Sequence, residues 1–332
     1  MTKSGNTLLA AAAALLLASA AGAQLPASAQ PPATAQPPAT AEAHVAAARA
    51  FAGTDLAVPF DFFCVPGNAR PNNFSAPALT PVKLFDNLYA VGNSETVVYA
   101  LTTSEGIVLF DAGHPGDIET IVLPGLVSLG LDPADIKYVL LGHGHSDHYG
   151  GAAFLQANGA RIGTTAADWD TLAAEAPSAL FGEIAKPSRD LVLQEGAPLV
   201  VGDTTITVIE IPGHTPGSLA FIFPVRDGAS SHVAGLFGGT VLAAGFVPLP
   251  GLRQYPASIA HYLEIAEQMQ VDVEVQNHPI FDDTPARLAA LAARAPGAAH
   301  PFVMGNERYV RFWNVVSECM QATLVQREAA QP

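Results

Sequence analysis

Three histidines and an aspartate stand within six residues in His143-Gly144-His145-Ser146-Asp147-His148, directly after the apolar run Tyr138-Val139-Leu140-Leu141. That run is short and β-branched enough for a buried strand, so the cluster falls where a strand ends. His143 and His145 are two apart and leave extended chain on the same side. Asp147 and His148 are adjacent and diverge, so they cannot share one face of a helix. One compact metal centre would struggle to take all four, whereas two neighbouring metals would fit them. Two more histidines share this setting. His214 sits in Pro212-Gly213-His214-Thr215-Pro216-Gly217-Ser218, a turn whose prolines and glycines fix the backbone and leave room for a metal. His278 follows an apolar stretch in Gln276-Asn277-His278-Pro279. Imidazole nitrogens with one carboxylate suit zinc, with Zn–N near ~2.0–2.1 Å. Six ligands divide into three per ion, leaving each ion an open position for water. Metals ~3.5–4 Å apart can share a hydroxide formed near neutral pH and polarise a carbonyl for its attack.

The elements that must hold these residues alternate between strands and helices. β patterns cover 82–85, 88–92, 96–102 and 106–110, the last closed by Asp111. Helical spacing covers 118–129, with Pro124 obscuring its first half, and then 149–158 and 166–176. Strand 161–164 lies between the last two. Strands at 199–201 and 205–211 flank Gly202-Asp203, a hairpin signal, and 219–223, 233–237 and 271–275 follow. Helices are expected at 258–270, 284–295 and 306–327. Hairpin runs interleaved with helices predict an α/β fold in which helices cover stacked sheets. His44, His114, His232, His261 and His300 lack the strand-end setting, although His114 follows Asp111-Ala112-Gly113 and so can border the site.

The chain has 332 residues, 15 basic against 30 acidic, for a formal charge of −15. Nucleic acid is therefore not an expected partner, since phosphate binding needs clustered Lys and Arg. Lys3, the apolar residues 8–17 and Ala18-Ser19-Ala20-Ala21-Gly22-Ala23 read as a signal peptide over 1–23. That reading predicts a periplasmic or secreted protein with no stable membrane association after cleavage. Residues 24–43, with Ala29-Gln30-Pro31-Pro32-Ala33-Thr34 repeated at 35–40, read as a disordered tether. The two cysteines, Cys64 and Cys319, permit a disulfide in an exported protein and equally permit two buried thiols. The chain carries no Gly-x-Ser-x-Gly elbow, phosphate loop or dinucleotide fingerprint that would compete with metal chemistry.

His143-x-His145-x-Asp147-His148, Gly213-His214-Thr215-Pro216-Gly217-Ser218 and Asn277-His278-Pro279 together resemble the metallo-β-lactamase superfamily, most of all the third, di-zinc subclass of the lactamases. The resemblance covers roughly residues 82–327. It implies a single αββα four-layer sandwich domain, here expected over 44–332. It also implies His143, His145 and His214 on one zinc, and Asp147, His148 and His278 on a second. Asp147 and His148 are then the catalytic candidates, and Asp111 matches a strand-end aspartate that supports the ligands from behind. Ser218 and Thr240 are candidates for a supporting or substrate-contacting role.

Two departures from the family pattern bear on the substrate. Many hydrolases of the superfamily bridge the metals with an aspartate after a later strand, where this chain reads Leu236-Phe237-Gly238-Gly239-Thr240. Gly239 stands at the aspartate's place, which favours the lactamase branch and a small-molecule β-lactam substrate over a lactone or other ester. A zinc-binding protein without turnover is the reading from a different class. The third subclass also has serines here that hold the substrate carboxylate. Thr240 can replace one, but Val241-Leu242-Ala243-Ala244 offers no second hydroxyl, which predicts weak carboxylate binding.

Overall fold

In the computed structural model, which describes residues 40–71, 73–178 and 181–331, the strand Val97–Thr103 is buried on both faces. Val97, Tyr99 and Leu101 enter one apolar core, while Val98 and Ala100 enter another. A strand apolar on both sides must lie between two layers, which is why it reads as a continuous run. Leu219–Asp227 does the same in the second half: Leu219, Phe221, Phe223 and Val225 meet the core shared with Tyr99, and Ala220 and Ile222 turn to a third core. The result is an αββα sandwich, as expected.

The first sheet has seven strands in sequential order. They are β1 (Val82–Phe85), β2 (Leu88–Gly92), β3 (Val97–Thr103), β4 (Gly106–Phe110), β5 (Ile136–Leu140), β6 (Arg161–Thr164) and β7 (Leu191–Val192). Pairing is antiparallel through β4 and parallel from β4 to β7. The second sheet runs β12-β11-β10-β9-β8, built from β8 (Leu199–Val201), β9 (Thr204–Glu210), β10 (Leu219–Asp227), β11 (Ser230–Phe237) and β12 (Val273–Val275). Only β11 and β12 pair in parallel there. The two sheets close on each other at Gly142 and Gly238, where a Cβ on Gly142 would lie 2.8 Å from the Gly238 Cα. Leu219 N–H donates to Gly142 O at 2.8 Å, stitching this glycine contact between the layers.

Helices α1 (Ala41–Ala52) and α2 (Ala57–Cys64) open the described chain, and α3 (Leu123–Ser128), preceded by a π-helical turn, follows β4. α4 (Ser146–Tyr149) and α5 (Ala152–Ala157) replace the single helix expected over 149–158, and α6 (Ala166–Ala174) follows β6. Then come α7 (Leu249–Gln268), α8 (Thr284–Ala292) and α9 (Asn306–Ala329). Residues of α3, α5 and α6 line the outer core of the first sheet, and those of α1, α2, α7 and α9 line that of the second.

Three expectations shift. α1 starts at Ala41 because Thr40 Oγ1 accepts the Ala43 N–H at 3.2 Å, so residues 41–43 are helix rather than tether. The expected leader over 1–23 and the expected tether over 24–39 lie outside the described residues. α7 begins nine residues before the expected 258, since Pro250 falls in its first turn, where no N–H is needed, and Pro256 is carried inside it. Cys64 and Cys319 form a disulfide that fastens α2 to α9. Among the described residues, no helix is long and apolar enough to cross a membrane.

Candidate metal centre

β4 and β5 run parallel, as do β11 and β12, and β9 has the same sense as β11 through two antiparallel pairings. Their carboxyl ends therefore share one edge of the sandwich. Asp111 follows β4, His143 to His148 follow β5, His214 follows β9, Gly238 to Thr240 follow β11, and His278 follows β12.

The six candidate ligands form two trios. His214 Nε2 lies 3.1 Å from His145 Nδ1 and 3.0 Å from His143 Nε2. In the other trio, His148 Nε2 lies 3.0 Å from His278 Nε2, and Asp147 Oδ2 lies 3.3 Å and 3.6 Å from those two nitrogens. A tetrahedral ion with bonds of ~2.0–2.1 Å separates its ligands by about 3.3 Å, so both trios have the required spacing.

The outward nitrogens explain why the inward ones are free to ligate. His143 Nδ1 faces Gly238 O at 2.7 Å, His148 Nδ1 faces Asp111 Oδ2 at 2.7 Å, and His278 Nδ1 faces Glu95 O at 2.8 Å. Each of these oxygens can only accept, so a ring proton sits outward, and in His143 and His278 a lone pair faces the trio. Converging lone pairs without a cation would repel, and the donor set therefore fits two zinc ions. Burial, followed by the neighbouring histidines, holds His143 and His214 well below the ordinary imidazole range, and burial with the His148 charge holds His278 down to about 4. These three candidates are neutral at physiological pH. Burial also opposes a charge on His148, but the Asp147 and Asp111 carboxylates outweigh it and push that group up to about 10. A cation at His148 Nε2 must displace that proton, so binding there releases one.

Asp111 is the hub behind the ligands. It holds φ 65°, a left-handed conformation costing a non-glycine residue about 1–3 kcal/mol. The strain puts its two oxygens to use. Oδ1 accepts from Gly142 N–H at 2.7 Å, and Oδ2 accepts from His148 Nδ1 and, at 3.1 Å, from Asn277 Nδ2.

Asp168, not singled out by sequence, does the same for the other trio. It is buried and accepts from Gly144 N–H at 2.9 Å, Gly217 N–H at 3.0 Å and Thr215 Oγ1 at 2.7 Å, locking the first loop to the His214 turn. Its signal was Thr165-x-x-Asp168, a helix-start pattern in which Thr165 Oγ1 accepts the Asp168 N–H at 3.2 Å. Ser218 serves that turn too: its hydroxyl accepts the Thr215 N–H at 3.1 Å and is not part of the pocket wall. Thr240 does line the pocket, with its hydroxyl directed to Phe237 O at 3.1 Å and Gln276 Oε1 at 2.9 Å. His114 borders the site through Phe74 and bonds Thr96 Oγ1 at 2.8 Å. His44, His232, His261 and His300 bond Glu318, Asp272, Glu195 and Leu84 O away from it.

Beside the trios opens a cavity of about 330 Å³, lined by His145, Asp147, His214 and His278 and walled by Phe74, Leu242, Phe246, Val247 and Pro248. Glu175 also lines it and went unnoticed in the sequence. A larger cavity of about 690 Å³, bounded by His232, Arg294 and His300, contains none of the candidate ligands.

Residues 91–231 match the family model of the metallo-β-lactamase superfamily. BJP-1, a subclass B3 metallo-β-lactamase of Bradyrhizobium japonicum, superposes with a TM-score of 0.66 at 30% identity, over 77% of this chain and 97% of that one. The chain belongs to the metallo-β-lactamase superfamily. The Rm3 metallo-β-lactamase superposes with a TM-score of 0.63 at 25% identity, over 78% of this chain and 100% of its own. A hydroxyacylglutathione hydrolase of Cereibacter sphaeroides is 36% identical over 132 residues, 38% of this chain and 46% of that protein. The chain thus matches under half the length of that curated relative. One from Pseudomonas entomophila is 28% identical over 204 residues, 60% of this chain and 61% of its own.

Proposed function

We propose that this hydrolase binds two zinc ions and opens the amide of β-lactams. The observation that carries the reading is Gly239. A Cβ there would lie 2.6 Å from Ser218 Cβ and 2.8 Å from Ser218 Oγ, so the metal-bridging aspartate of the ester-hydrolysing branches has no space. The likeness to BJP-1, a subclass B3 lactamase, over 77% of this chain and 97% of that one supports it. Export by the leader at 1–23, which would put the enzyme in the periplasm where β-lactams act and make it a resistance determinant, belongs to the same proposal.

His143, His145 and His214 would hold one ion, and Asp147, His148 and His278 the other. When bound, such a pair supplies Lewis acidity and makes water acidic enough to attack near neutral pH. The chain supplies aim and shelter. Asp111, Glu95 O and Gly238 O fix the ring planes through the outward N–H groups, and Asp168 fixes the two loops against each other. Phe74, Leu242 and Val247 give the pocket an apolar wall.

Thioester hydrolysis is the second reading, favoured by the hydroxyacylglutathione hydrolases among the relatives. Turnover by the zinc-loaded protein of a chromogenic cephalosporin, an aryl lactone and a hydroxyacylglutathione separates the two. The cephalosporin is expected to be hydrolysed fastest. An intact cephalosporin alongside rapid lactone or thioester cleavage overturns the proposal.

A further inference from the structure

The pocket has an anion where an anionic substrate would want a cation. Glu175 lines it, half-buried, with Oε2 accepting from the Tyr149 hydroxyl and Oε1 facing the Ser146 N–H at 3.4 Å. Those contacts hold the carboxylate beside the loop that carries Asp147. Among the described residues, no lysine or arginine lines the cavity. The nearby cations are committed elsewhere: Arg70 forms a two-pronged pair with Glu95 at 2.8 Å, and Lys186 donates to Ala173 O and Glu175 O. Arg327 donates to Ala244 O and Val247 O, pinning the loop that presents Phe246, which is 80% exposed at the rim. Of the two hydroxyl residues that line the cavity, Ser146 and Thr240, Thr240 is directed at two protein oxygens.

Resting on the hydrolase reading, we infer that Glu175 is a specificity residue that makes this pocket favour substrates whose non-reacting end is uncharged and apolar over those carrying a carboxylate there. Ions held by the two trios would attract a substrate carboxylate equally whatever stands at position 175. The effect of Glu175 is therefore read from a ratio rather than from either rate alone.

The test uses one chromogenic cephalosporin as its free acid and as its methyl ester. The zinc-loaded enzyme takes the ester with the higher kcat/KM. Glu175→Gln shrinks the ester-to-acid ratio on the order of tenfold, the size of a like-charge repulsion at a few ångströms, through a lower KM for the acid. Glu175→Asp, which keeps the charge, and Glu183→Gln, which removes an exposed charge away from the pocket, retain the wild-type ratio. Should Glu175→Gln lose zinc, Ala243→Lys, at the same pocket wall, shrinks the ratio instead. An acid taken as readily as the ester, a ratio that Glu175→Gln leaves unchanged, or equal shifts in Glu175→Gln and Glu175→Asp would each overturn the inference. If neither cephalosporin is cleaved but a lactone is, the β-lactam reading fails. The same ratio measured on carboxylated and neutral lactones then decides the role of Glu175 separately.

Discussion

Gly239→Asp tests the geometry that separates this chain from the ester-hydrolysing branches. A Cβ at that position sits 2.6 Å from Ser218 Cβ and 3.3 Å from Ile211 Cδ1, against an ordinary carbon contact of about 3.5–4.0 Å. Ser218 cannot yield cheaply, because its hydroxyl is bonded into the turn that carries His214. Forcing atoms into a packed site costs about 1–3 kcal/mol. At about 2–4 °C per kcal/mol, Gly239→Ala should lower Tm by about 2–12 °C. Gly239→Asp should cost more, since it adds a buried carboxylate, and displacing the turn should weaken zinc binding. Melting curves with and without zinc, together with a chelator competition, measure both effects. A Gly239→Asp protein that melts with the wild type and binds zinc more tightly would show that the position is open to a bridging carboxylate, and the reasoning would fall.

Asp111→Ala removes the acceptor that orients His148, so zinc affinity should fall about 10–100-fold in a competition titration; an unchanged affinity would deny Asp111 that role. Breaking the Cys64–Cys319 link, which closes a 255-residue separation, should cost about 2–5 kcal/mol, seen as a Tm lowered by several degrees in Cys319→Ser. Glu274 is fully buried, and burial with the neighbouring Asp282 pushes its carboxyl up to about 8. The folded state therefore holds a proton that the unfolded chain releases near 4.5, so this group's contribution to stability declines as pH rises from about 4.5 through 8. Glu274→Gln should flatten that part of the Tm–pH curve, and an unaltered curve would contradict the assignment.

The ligands were legible because their chemistry is concentrated at strand ends and apolar periodicity marks the strands. The residues that aim them were not. Asp168 accepts backbone N–H groups of two distant segments and Glu95 offers its own backbone C=O to His278, and such partnerships leave no local pattern beyond the Thr165-x-x-Asp168 helix start. Glu175 lies just past α6 as a single carboxylate in Leu172-Ala173-Ala174-Glu175-Ala176-Pro177, and only the tertiary fold brings it to the Ser146–Tyr149 turn. The early part of α7 was hidden by Pro250, Gly251 and Pro256, residues that argue against a helix locally but are carried by burial of Leu252, Tyr255 and Ile259. α1 and α2 were hidden because their partner, α9, lies about 250 residues away, and no local periodicity announces that contact.

Titrating the apoprotein with zinc tests the two-trio centre most directly. The account predicts two equivalents per chain, reduced to one in His214→Ala, with the Asp147–His148–His278 trio still filled. A single equivalent in the wild type, or a stoichiometry unchanged by His214→Ala, would contradict it.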